Sequence, residues 1–425
     1  MDNKITLEKK LHSKKIKKPP KFIYNLLGNI WKILFMKKYG VTYKFNYDFR
    51  KEKGPYFLIS NHTSRADYIF VGVPTLPSTY NFVAGYNEFF RSHLKGVFSL
   101  LQVIPKKNFT PDIYTLKEID RVIKSGGKIL IFPEGMSSIG GMNQPVAIGT
   151  GKLIKHYKIP VYYAKVSGGY LTTPKYSLED RFGKVEVVFD KMFSPSDIDK
   201  LTPEEIEDII NKNLYHDDYE WNKQKQISYK LKGGIADNLH DLLFICPKCK
   251  KQFEMLGKGD EIKCLSCGNG AKIDNKYNLL PFDENCVIPE TQSKWFNMQR
   301  EIIKEEVKDE NFSFSCEVEL GMIPDYEPLK DLRTSIIVGK GVATINRSGF
   351  TYVGTKNGED VEMFIQSKDL PSYGMCTDVS RFYTFYNGKF VEFYPNKPCV
   401  EKFFLATEEI HRLNGGKWQD FKFEK

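Results

Sequence analysis

The chain has 425 residues, 41 % of them hydrophobic and 27 % charged, which allows two to four folded domains and excludes global disorder. Its 63 Lys+Arg exceed 53 Asp+Glu for a net charge of +10, a balance that suits an anionic partner such as lipid headgroups, nucleic acid or an acidic carrier protein. Eight cysteines, four of them in two C-x-x-C pairs, exclude a dense secreted disulfide framework and point to one metal site plus free thiols in a reducing cytosol.

The first 21 residues hold eight lysines, and Pro19-Pro20 closes this basic arm. Over 22–35 the spacing predicts an amphipathic helix. Asn25, Gly28, Asn29 and Lys32 make a narrow polar stripe, and Phe22, Ile23, Leu26, Leu27, Ile30, Trp31, Leu34 and Phe35 fill the rest. Such a helix suits the headgroup plane of an anionic membrane; packing on its own domain is the alternative. No stretch reaches the ~20 apolar residues that span a bilayer, and no small-x-small cleavage site follows 22–35. The expectation is a cytoplasmic protein, peripheral on the inner face of the membrane, with 1–45 as basic arm and membrane-associating helix.

Residues 46–230 alternate apolar runs with helical patterns. Strands are expected at 56–59, 128–132, 161–166 and 185–189, with a helix at 112–125. Thr202-Pro203-Glu204-Glu205 opens a further helix, with threonine as cap and proline in its first turn. This alternation predicts an α/β domain whose mixed, largely parallel sheet is flanked by helices. The cysteine pairs occupy 240–285. Beyond them, 290–425 reads as a linking helix and a β-rich domain with an Asn387-Gly388 hairpin turn, closed by a helix over Val400–Leu413. On pattern alone, strands closed by one helix resemble a PH- or GRAM-like barrel.

Chemistry concentrates behind the first expected strand, in Asn61-His62-Thr63-Ser64-Arg65-Ala66-Asp67. A histidine and an aspartate five apart do not share a face of a straight helix. They meet if His62 lies in the loop and Asp67 in the first helical turn. A neutral imidazole can then take a hydroxyl proton while the carboxylate fixes its tautomer. About 65 residues on comes Phe132-Pro133-Glu134-Gly135, then Gly149-Thr150-Gly151-Lys152 and Ile159-Pro160-Val161.

Over about 55–195 the chain resembles the PlsC-type glycerolipid acyltransferases, whose marks are N-H-x-x-x-x-D, a basic middle block, F-P-E-G-T-R-S and a V-P-hydrophobic strand. The resemblance implies an acyltransferase that moves a fatty acyl group from acyl-CoA or acyl carrier protein to a lysophospholipid hydroxyl, such as that of 1-acylglycerol-3-phosphate. His62 would be the general base and Asp67 its orienting partner. Glu134 and Gly135 match the acceptor-binding loop, where the glycine permits close backbone approach. Met136-Ser137 replace the usual Thr-Arg, removing a natural phosphate ligand. The middle block reads Val103-Ile104-Pro105-Lys106-Lys107, leaving Lys106, Lys107, Arg65 and Lys152 as candidate cations for an acceptor phosphate.

Cys246-Pro-Lys-Cys249 and Cys264-Leu-Ser-Cys267, fourteen residues apart, resemble a zinc ribbon. Four thiolates close the coordination sphere, so this zinc would be structural. Two competing readings differ in class. One is a non-catalytic lipid-binding or scaffold protein on the acyltransferase fold. The other is nucleic-acid binding through the ribbon, for which no aromatic stacking pattern accompanies the lysines; nucleic acid is not the expected partner.

Overall fold

The computed structural model describes residues 5–330 and 333–416. The outermost residues of the expected arm and of the last domain therefore lie outside the described residues. The first sheet holds seven strands: β1 (Val41–Phe45), β2 (Phe57–Ser60), β3 (Asn81–Gly85), β4 (Ile104–Lys106), β5 (Ile129–Ile131), β6 (Val161–Ser167) and β7 (Val185–Phe193). Their order is β1-β7-β6-β2-β5-β3-β4, and only the β6–β7 pair is antiparallel. The expected mixed, largely parallel sheet is present.

β2 lies near the centre and is buried along its whole length, which is why it reads as an unbroken apolar run. Its alternate residues feed two cores. Tyr56 and Leu58 join Phe49, Phe70 and Tyr162 on one face, whereas Phe57 and Ile59 join Ile119, Val122 and Ile154 on the other. Helices Ile113–Lys124, Thr150–Tyr157 and Pro203–Leu214 cover that second face. The last carries the expected Thr202–Glu205 capping box.

β1 and β4, the two edge strands, and β3 were not anticipated. β1 pairs in parallel with β7, so 41–45, read from sequence as part of the N-terminal segment, belong to the sheet. Thr42, Tyr43 and Lys44 face solvent, and so exposed a strand carries no apolar alternation.

The basic arm is docked along the protein. Ile16 N–H donates to Glu118 Oε2 at 2.7 Å, Leu7 N–H to Asp325 O at 2.7 Å, and Asn81 Nδ2 to Lys17 O at 2.8 Å. Helix Lys21–Trp31 continues into a π-helical turn over Lys32–Met36. It packs through Tyr24 and Gly28. Gly28, placed on the polar stripe by its sequence pattern, is the point of closest approach: a Cβ there would lie 3.0 Å from the Leu76 methyl groups. Phe22, Leu26, Ile30, Ile33 and Leu34 remain exposed on the outside. The helix thus packs on its domain and still presents an apolar face. Among the described residues no helix is long and apolar enough to cross a membrane.

Strands β8 (Met255–Lys258), β9 (Glu261–Cys264), β10 (Gly270–Ile273) and β11 (Leu279–Pro281) form a small antiparallel sheet around the cysteine pairs. Helix Gln292–Glu306 follows, its buried Trp295 donating Nε1–H to Ile245 O at 2.9 Å. The β-rich C-terminal region comprises β12 (Ser313–Met322), β13 (Ile336–Asn346), β14 (Gly349–Lys356), β15 (Glu359–Gln366), β16 (Gly374–Met375), β17 (Phe382–Tyr386) and β18 (Lys389–Pro395). All neighbours are antiparallel, in the order β15-β14-β13-β12-β18-β17-β16. Helix Val400–Leu413 inserts Phe403 among Phe350 and Phe382. One continuous core joins this region to the small sheet and reaches Met136, Ile139, Tyr170 and Tyr176 of the first domain.

Candidate active site

β2 ends at Ser60, and the chain turns through 61–66 before the short helix Asp67–Gly72. The turn is fastened to β6, because the Asn61 amide donates to Val166 O and accepts from Val166 N–H, both at 2.8 Å. Asp67 is fully buried, with Oδ2 2.9 Å from His62 Nδ1. The same oxygen accepts the N–H groups of Thr63 and Ser64 at 2.6 and 2.8 Å, and Oδ1 accepts the Thr63 hydroxyl at 3.0 Å. The five-residue spacing closes because His62 lies in the turn. Burial pushes the Asp67 carboxyl above the usual range, and the bond to His62 pulls it back.

The imidazole stacks on Phe132 with ring centroids 4.6 Å apart, and its side chain is 25 % exposed. With Nδ1 on the carboxylate, Nε2 is the nitrogen available to accept a proton. The pair can act as a base on a hydroxyl brought to that edge of the ring.

Glu134, at the end of β5, is wholly buried. Its Oε1 accepts His62 N–H at 2.8 Å and its Oε2 accepts Gln144 N–H at 2.7 Å. These two bonds make it a brace holding the histidine turn to the returning loop. Ser138 N–H adds a second fastening, to His62 O at 2.7 Å. Gly135 has φ +82°, a conformation that favours glycine, and the ring of Phe109 lies 3.4 Å from where a Cβ would stand.

The candidate cations are distributed unevenly. Arg65 pairs with Asp180 at 2.7 Å and donates to Leu178 O and Ser177 O at 2.7 and 3.3 Å. Lys106 donates to Lys107 O and Thr110 O at 2.6 and 3.2 Å, and burial lowers its pKa. Lys107 turns away to Glu8 at 3.3 Å and Gly388 O at 2.7 Å, over the ring of Tyr86. Lys152 stands exposed on helix Thr150–Tyr157, and among the described residues no hydrogen bond or ion pair ties it to the His62 turn. Sequence reasoning missed Lys175, a buried lysine whose Nζ donates to Ser137 Oγ at 3.2 Å. Ser137 holds the position where arginine was expected. Nothing local marks Lys175, since it reaches Ser137 across 38 positions of sequence.

The four cysteines come together. Cys246 and Cys267 sulfurs lie 3.7 Å apart, those of Cys249 and Cys264 3.8 Å, and all four fall within 4.8 Å of one another. Thiolates at about 2.3 Å from a tetrahedral ion are about 3.8 Å apart, so the cluster fits a closed tetrahedral metal site.

The site is a histidine backed by a buried aspartate, in the turn behind the central strand of a mixed sheet. Residues 42–164, under a third of the chain, match the Acyltransferase family model. Among solved structures, the chain is similar to the 1-acyl-sn-glycerophosphate (LPA) acyltransferase PlsC of Thermotoga maritima, at 18 % identity and a TM-score of 0.41, covering 48 % of this chain and 80 % of that one. Among curated proteins none matches the chain.

Proposed function

We propose that the protein is a glycerolipid acyltransferase, transferring a fatty acyl group from the thioester of acyl-CoA or acyl carrier protein to the hydroxyl of a lysophospholipid such as 1-acylglycerol-3-phosphate. The observation that carries this reading is the 2.9 Å contact of His62 Nδ1 with the buried Asp67 carboxylate inside a domain that matches the Acyltransferase model. His62 Nε2 takes the acceptor proton as the oxygen attacks the thioester carbonyl. The tetrahedral intermediate then collapses, the thiolate leaves, and the imidazolium returns its proton to the sulfur. Asp67 holds the tautomer and stabilises the imidazolium.

The donor and acceptor are anionic, in keeping with the net charge of +10. The lipid acceptor reaches the site from a membrane on which the protein sits peripherally at the cytoplasmic side. Exposed Phe22, Leu26, Ile30, Ile33 and Leu34 favour that placement, as do the neighbouring exposed lysines Lys21, Lys32, Lys37 and Lys38. Trp31 of the same helix packs edge-on against Tyr68, the residue after Asp67, so the apolar face stands beside the site. The cysteine cluster is proposed to hold structural zinc.

The test is acyl transfer from acyl-CoA and acyl carrier protein to a panel of lysolipids on vesicles. Wild type should transfer, and folded His62→Ala should lose about three orders of magnitude or more. Equal rates in the two proteins would reject the mechanism. No transfer from folded wild type with any pair would favour the scaffold reading.

A further inference from the structure

Lys175 follows the short helix Gly169–Thr172, and the segment leading to it lies directly against the His62 turn. Thr173 Oγ1 donates to Ser64 Oγ at 2.9 Å. Lys175 is 5 % exposed. Its ammonium carries three N–H donors, and two acceptors meet it: Ser137 Oγ at 3.2 Å and Met375 O at 3.5 Å. Ser137 immediately precedes Ser138, whose N–H is bonded to His62 O. The ammonium therefore stands one residue from the backbone that fastens the histidine.

A lysine this buried ordinarily has a carboxylate partner, because an uncompensated charge away from water is costly. Among the described residues, no carboxylate lies within ion-pair distance of Lys175. Two of the charged groups around it, Arg65 and Asp378, have partners of their own. Arg65 is paired with Asp180 at 2.7 Å. Asp378 is offset by Arg381 at 3.6 Å and accepts from Cys376 Sγ and Ser380 Oγ, both at 2.7 Å. Glu401 is fully buried, and neither of its oxygens has a hydrogen-bond partner. Burial holds the Glu401 carboxyl well above the usual carboxylate range and raises the Cys376 thiol. What the geometry leaves is a buried ammonium with a third donor beside the His62 loop. Burial lowers the Lys175 pKa to about 8, so an anion that keeps it protonated is bound with gain.

We infer that Lys175, with the Ser137 hydroxyl, binds the phosphate of an anionic acceptor and is the residue that selects a phosphomonoester headgroup over an uncharged one. This rests on the acyltransferase reading for its substrate but on the geometry of Lys175 for its site. The second acceptor is the Met375 carbonyl of β16, so Lys175 is held between the first domain and the C-terminal region. The four cations singled out by sequence are all less deeply buried than Lys175.

The experiment compares wild type with Lys175→Met, which replaces the ammonium by an apolar side chain of similar length. The ratio of kcat/KM for lysophosphatidic acid over monoacylglycerol should fall about 10- to 100-fold. Calorimetric binding of glycerol 3-phosphate to the full chain should weaken by a similar factor. Ser137→Arg in the Lys175→Met background should restore part of the ratio, because it returns a cation to the same spot. Should Lys175→Met fail to fold, Ser137→Asp sets a carboxylate against the ammonium and should abolish glycerol 3-phosphate binding. An unchanged ratio in folded Lys175→Met, or equal losses on both acceptors, would overturn the inference while leaving acyl transfer standing. Wild type that transfers nothing yet binds glycerol 3-phosphate through Lys175 would keep the site and remove the acyltransferase reading.

Discussion

An imidazole with nothing on Nδ1 exchanges between two tautomers and two ring orientations, and Asp67 removes that freedom. Its carboxylate accepts three bonds besides the one to His62, so it is held as firmly as it holds. Asp67→Asn keeps the shape and spoils the chemistry. An amide oxygen in the Oδ2 position still meets Thr63, Ser64 and His62 Nδ1 but lacks the charge that stabilises the imidazolium; an NH2 there leaves buried donors facing one another. We expect kcat to fall about 10³- to 10⁴-fold with little change in KM, and stability to fall by about 1–3 kcal/mol. Steady-state kinetics and thermal unfolding check both, and a folded variant within tenfold of wild type would remove Asp67 from this role. The His62–Asp67 pair was legible because its spacing is local. Glu134 was legible as an acceptor ligand or a structural carboxylate of the turn, but not its partners, since Gln144 sits on a loop whose return no sequence pattern announces. Lys175 was invisible because its environment comes from Ser137 and Met375, far apart in the chain.

At the scale of elements, what the sequence discloses is the buried periodicity. β2 and β5 read as apolar runs because both faces of the sheet are covered, and β7 alternates because its residues do. β1 escaped notice because its pairing with β7 rests on backbone bonds while its side chains meet solvent. Helix Lys21–Trp31 was found, but a pattern cannot say which face is inward: the tyrosine-glycine pair Tyr24/Gly28 docks, and larger apolar residues stay outside. Phe22 and Ile33 are 80 % and 78 % exposed, so they contribute little to folding and leave an apolar face for lipid. Replacing Phe22, Ile33 and Leu34 together by serine should leave the melting temperature within about a degree or two, given their exposure. Sedimentation with anionic vesicles should drop about tenfold or more. Unchanged sedimentation of the folded triple variant would show that membrane association, if any, lies elsewhere.

One core joins the C-terminal region and the small sheet to part of the first domain, and it takes in two of the clustered cysteines. Cys246 and Cys264 are buried in the same core as Trp295, Phe350 and Phe403, and that core reaches Met136, next to Gly135, and Tyr170. Tyr277, just before β11, carries the connection furthest. Its hydroxyl donates to Leu171 O at 2.7 Å and accepts from the fully buried Arg181 at 2.8 Å, which also donates to Tyr176 at 3.0 Å. Leu171 and Tyr176 flank Lys175 in sequence. Binding of zinc by four thiolates contributes on the order of 10 kcal/mol, comparable to the full stability of a typical domain. A sheet of four short strands has too little core to survive that loss alone. Metal analysis should find about one zinc per chain. Chelation or Cys249→Ser should release it, lower the melting temperature, and shift tryptophan emission to the red as Trp295 loses its place against Ile245. Through Tyr277 the change should also weaken glycerol 3-phosphate binding. Metal-free protein with unshifted emission and unchanged melting would show that the four sulfurs meet without a metal to hold them.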